Sequence, residues 1–112
     1  MGFIKANYER RIQDDDVELI VSFDNEETGL LSLLFNGELD NFYDWIYESV
    51  MDSLSNSKQV KIAGNICELQ ISKDFTLIYD LISDDDCFLK IETLILKELM
   101  CEWKKEFDDI NS

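Results

Sequence analysis

Histidine and proline are absent from this chain, glycine supplies only four of its 112 residues, and bases are outnumbered 10 to 25 by acids. Each shortage excludes something. Without histidine there is no Ser-His or Cys-His nucleophile and no His-bearing zinc site. The four glycines build no G-x-x-x-x-G-K, G-x-G-x-x-G or G-x-S-x-G motif. With no proline and no Gly/Ser-rich stretch there is no linker, so residues 1–112 are expected to form a single domain. The few bases argue against contact with nucleic acid or anionic lipid, which needs lysine and arginine clusters. Apolar runs such as that in "GLLSLLFNG" fall far short of the roughly 20 residues of a membrane span. Cys67, Cys87 and Cys101 are an odd set without CxxC spacing, neither a disulfide framework nor a zinc site. The opening "MGFIKANYERR" has no apolar signal core, and Ala6 breaks the myristoylation pattern. A reduced, cytoplasmic protein is the expectation.

What is present is a hydrophobic content of 46% with 12% aromatic residues, enough for a real core. Over it lies a formal net charge of −15. Residues 1–56 hold 13 acids and 3 bases, residues 57–112 hold 12 and 7. A partner with a basic surface is the natural complement.

Periodicity supplies the architecture. "VELIVSFD" alternates Val17, Leu19, Val21 and Phe23, a strand signal. "LLSLLF" (30–35), after the turn-rich "DNEETG", reads as its hairpin partner, with "FIKANYERRI" (3–12) as a first edge strand. A helix then starts near Asp40 or Asn41, both good N-caps, and runs to about Leu54. "QVKIAG", "ICELQI", "FTLIYDLI" and "CFLKI" read as four further strands; Cys67, Leu69 and Ile71 alternate into the core. Thr93 is placed to cap a last helix, whose Leu96, Leu99, Met100, Trp103, Phe107 and Ile110 share one face. The expected fold class is α+β: an antiparallel sheet of about five to six strands with two amphipathic helices, the C-terminal one packed on the sheet.

The first helix carries the candidate site. On a wheel of about 100° per residue, Phe42, Tyr43, Ile46, Tyr47, Val50 and Leu54 form an apolar sector. Asp44, Glu48 and Asp52 fall together on the other side at steps of four, without a base among them, and Trp45 stands beside them. Like charges at that spacing repel by a few tenths of a kcal/mol. The helix dipole favours Asp40 and Asp44 near the start but not Asp52 near the end. Trp45 reads either as peripheral core or as an exposed anchor of the kind enriched at interfaces. Glu98, Glu102 and Glu106 repeat the spacing on the last helix, but Lys97, Lys104 and Lys105 make that a mixed, solvated face; Asp108 and Asp109 close it against the dipole. The runs Asp14-Asp15-Asp16 and Asp84-Asp85-Asp86 lack the glycine and twelfth-position glutamate of a calcium loop, and read as solvated turns. No metal, cofactor or catalytic residue is implied, and an enzyme is not expected.

A short, proline-free, strongly acidic chain ending in "CFLKIETLILKELMCEW", a strand running through "IET" into an amphipathic helix with a tryptophan, resembles bacterial immunity proteins. These neutralise contact-dependent growth-inhibition and related polymorphic toxins. The resemblance covers about 25 residues and transfers no catalytic residue. It implies a partner: the C-terminal toxin domain of an effector, often a nuclease, whose active site or groove is covered. A nuclease holds phosphates with basic residues, so an acidic inhibitor is steered to it. Glu38, Asp40, Asp44, Glu48 and Asp52 would then replace phosphates around a Trp45 anchor. Two other readings use the same residues: a DNA mimic that occupies a nucleic-acid-binding enzyme, and an acidic adaptor domain whose charge serves solubility. Strand 3–12 is a further candidate contact, by accepting a partner strand. The oligomeric state is left open.

Overall fold

The computed structural model describes residues 6–23, 30–37, 39–81 and 88–111. Strands β1 (Ala6–Gln13) and β2 (Asp16–Phe23) form an antiparallel hairpin; helix α1 (Leu30–Gly37) and helix α2 (Leu39–Asn56) follow. Strands β3 (Val60–Ala63), β4 (Cys67–Ile71), β5 (Phe75–Asp80) and β6 (Phe88–Glu92) make an antiparallel meander, and α3 (Thr93–Asn111) closes the fold. The class is α+β, and the C-terminal helix packs on the sheet, as its apolar periodicity predicts. The described strands divide into a two-stranded and a four-stranded sheet.

The expectation for residues 30–35 is overturned. Residues 30–35 are not a strand paired with β2 but the body of α1, and β2 pairs with β1 instead. Leu30, Leu31, Leu34 and Phe35 are all buried, the i, i+1, i+4, i+5 pattern of a helix stripe. A six-residue apolar run does not separate a buried strand from a buried helix; here the tertiary environment decides. α1 lies between layers, touching β2 on one side and β5 and β6 on the other. The order of layers is therefore hairpin, helices, four-stranded sheet.

Each element settles by its own pattern. β4 alternates buried Cys67, Leu69 and Ile71 with half-buried Glu68 and Gln70, so one sheet face meets the helices. On α3, Leu96, Leu99, Met100 and Trp103 are buried and Phe107 packs against them. Tyr47, Tyr43, Trp103 and Phe107 form a continuous stack across α2 and α3, with centroid steps of 5.5, 5.6 and 4.8 Å. The Tyr43 hydroxyl donates to the Met100 carbonyl at 3.2 Å, which fixes the helix pair in register.

Thr93 does not cap α3. Its buried hydroxyl donates to the Ser72 carbonyl and accepts from Thr76 Oγ1 at 2.8 Å, and its N–H bonds the Asp74 carbonyl. These contacts pin the helix start to the β4–β5 turn. At the other end, Arg10 of β1 reaches Asp109 at 2.6 Å and Glu106 at 3.7 Å, while Lys104 pairs with Asp108. Those pairings give the acids that close α3 their counter-charges. The run Asp14-Asp15-Asp16 forms the hairpin turn, with Asp14 and Asp15 at φ 51° and 70°. Asp84, Asp85, Asp86 and Cys87 lie outside the described residues.

Candidate functional site: the acidic face of α2

Phe42 breaks the helical backbone (φ −121°, ψ 16°), so the regular part of α2 begins at Tyr43. From there the wheel holds: Ile46 and Val50 are buried, and Phe42, Tyr43, Tyr47 and Leu54 pack against the core. The helix ends in a left-handed turn. Ser57 has φ 57° and its N–H bonds the Ser53 carbonyl at 3.0 Å, the single closing bond of an αL cap. That reversal throws Lys58 back along the helix.

The consequence falls on Asp52. Its carboxylate accepts from the Asn56 amide at 2.6 Å and pairs with the Lys58 ammonium at 3.4 Å. The amide bond holds the Asp52 carboxyl below its ordinary value; desolvation opposes it, and the nearby Lys58 ammonium adds a lesser lowering. Asp44 and Glu48 are exposed, and among the described residues neither has an ion-pair partner. The ridge thus has one compensated and two uncompensated acids. Glu38 lies outside the described residues; Asp40 is in the first turn of α2, and its side chain is outside them too.

Trp45 is 46% exposed, its ring set edge-on to Phe42 at 6.0 Å. It opens onto a groove of about 540 Å³ between α2 and β3, with Met51 and Val60 as apolar lining and Glu48, Asp52 and Asn56 as polar rim. Asp44 is not part of that lining. The reason is geometric: a straight helix turns about 40° past a full turn every four residues, so a ridge at steps of four winds around the axis. By Glu48 and Asp52 it has wound toward Trp45, and Asp44 is left on its flank.

The acids of α3 make the contrast. Glu106, Asp108 and Asp109 have cationic partners. Burial, then the negative charge of Glu102, pushes the Tyr8 phenol up from its ordinary range. Sequence reasoning identified α3 as a mixed face and α2 as the bare one. It missed Lys58, whose return onto Asp52 depends on an αL turn at a serine. Among the described residues no group of acids or cysteines is arranged to hold a metal ion, and no helix is long and apolar enough to cross a membrane.

Fold and groove together define an acidic α+β domain with a half-exposed tryptophan beside carboxylates that have no ion-pair partner among the described residues. No family model and no solved structure matches the chain. A Bacillus cereus protein described as "Immunity protein" is 35% identical to it over 88 residues, 73% of this chain and 75% of that protein. The chain belongs to that immunity-protein family.

Proposed function

We propose that this chain neutralises a cognate toxin domain in the bacterial cytoplasm by binding it through the acidic face of α2. The toxin belongs to the polymorphic or contact-dependent class and presents a basic surface, with a nuclease the best-matched activity. The observation that carries the reading is the half-exposed Trp45 beside Glu48, with Asp44 on the flank and no base paired with either acid among the described residues. Phosphate-binding side chains of a nuclease would meet carboxylates there, and the indole would fill a pocket between them. Complementary fields would speed encounter, which suits an inhibitor that must act before the toxin does. Membership of the immunity-protein family supports this reading.

The test is protection in a host that expresses the toxin encoded beside this gene. Trp45→Ala and Glu48→Lys should each weaken binding to that toxin at least tenfold while leaving the fold intact. Unchanged affinity in both variants would reject α2 as the contact. Displacement of DNA from several unrelated enzymes, without a single preferred partner, would favour the DNA-mimic reading.

A further inference from the structure

The face of the four-stranded sheet turned away from the helices is unlike the rest of the surface. Strand register places Phe75, Leu77 and Tyr79 along β5 on this face, with Phe88 beside Tyr79 on β6. Phe75 and Phe88 are 42% and 50% exposed, and the Tyr79 and Phe88 rings meet at 5.7 Å. Around this apolar stripe stand Lys61, Lys73 and Lys90 with Glu68, Asp74 and Glu92. Three bases balance three acids, so the net charge of −15 is carried wholly by the rest of the chain. The signs are interleaved: Lys61 pairs with Glu68 at 3.7 Å across β3 and β4, and the Lys90 ammonium lies over the Phe75 ring at 4.2 Å.

We infer that this sheet face is where a second copy of the chain docks, in a two-fold dimer that leaves both α2 ridges free. Two chains of charge −15 repel one another, and the cost is least where each presents a locally neutral patch. A patch with both signs around an apolar centre can also complement itself under two-fold rotation, lysines of one copy meeting acids of the other. The β5 stripes pack face to face with strands within about 30° of each other, as aligned sheets do. α2 packs on the opposite face of the sheet, so the dimer presents two toxin-binding ridges outward. Four strands about 4.8 Å apart and five residues of about 3.4 Å give roughly 300 Å² per copy in plan. That is well below the ~800 Å² per partner of a standard interface, so the dimer is a weak, transient one.

Sedimentation velocity of the intact chain over a concentration series, at low and high salt, tests this inference. The weight-average mass should climb from 13.1 kDa toward twice that value, and further at high salt, where self-repulsion is screened. Phe88→Glu and Lys61→Glu, both at exposed positions, should each weaken association at least tenfold with unchanged circular dichroism and toxin affinity. A mass fixed at the monomer value across the series, or dimers indifferent to both changes, would overturn the inference. Loss of toxin binding in the folded variants would overturn it too, by giving the face to the toxin. Failure of the α2 variants to affect toxin binding would leave the dimer untouched, so the two readings fail separately.

Discussion

Asn36 lays its side-chain amide against Val21 as a third strand would. Its Oδ1 accepts from the Val21 N–H at 2.9 Å and its Nδ2 donates to the Val21 carbonyl at 2.8 Å. Through this pair α1 answers the outer edge of β2, and the hairpin is held to the helix layer by more than apolar contact. Asn36→Ala removes both bonds and should cost about 1–2 kcal/mol, read as a lower urea midpoint at unchanged slope. An unchanged midpoint would mean that water replaces the amide at no cost.

The two threonines at the start of α3 make a second prediction. Thr76 and Thr93 are buried, and the Thr76 hydroxyl has Thr93 as its acceptor. Thr93→Val strands the Ser72 carbonyl and Thr76 together and should cost about 2–3 kcal/mol; Thr76→Val should cost less. The double variant should cost less than the sum, because it leaves fewer buried groups unpaired. Strict additivity in thermal or urea unfolding would contradict the shared network.

Left-handed positions supply a gain rather than a loss. Asp14, Asp15 and Ser57 all adopt positive φ without being glycine. A two-residue hairpin turn with positive φ at both centres favours Asn-Gly, and an αL cap favours glycine. Asp15→Gly and Ser57→Gly should each stabilise the chain by roughly 0.5–1 kcal/mol. A fall in melting temperature for either would contradict the turn geometry described.

These details show how much of the fold the sequence spells out. α3 was legible because its apolar residues recur over several turns, and β4 because Cys67, Leu69 and Ile71 alternate. The run at 30–35 was not: its helix identity rests on burial on two sides, which no local pattern records. Thr93 was recognised as a polar residue at a helix start, but its partner Ser72 is 21 residues away and reachable only in the folded sheet. In the candidate site, Trp45, Glu48 and Asp52 come together as the wheel implied. The separation of Asp44 followed from helix winding and was calculable. The return of Lys58 was not, because a serine gives no warning of positive φ.

Asp52 carries a pH dependence set first by the Asn56 amide and to a lesser degree by Lys58. Its folded-state value is lowered by Asn56 and then Lys58, so the associated stability is present above the unfolded carboxyl value and is lost as pH falls through the folded one. That window opens below about pH 4, near the ordinary aspartate value. Asn56→Ala and Lys58→Met should each raise the Asp52 value toward the ordinary one, followed by carboxyl NMR. No movement in either variant would contradict the pairing.

The central claim is that the face of α2 bearing Trp45 and Glu48 contacts the toxin. Its most direct test is the affinity of Glu48→Lys for the purified cognate toxin domain, measured at two salt concentrations beside the unaltered chain. Binding should be at least tenfold weaker, with a shallower salt dependence and an unchanged melting temperature. Full affinity with the original salt dependence would contradict that claim and move the interface to another surface.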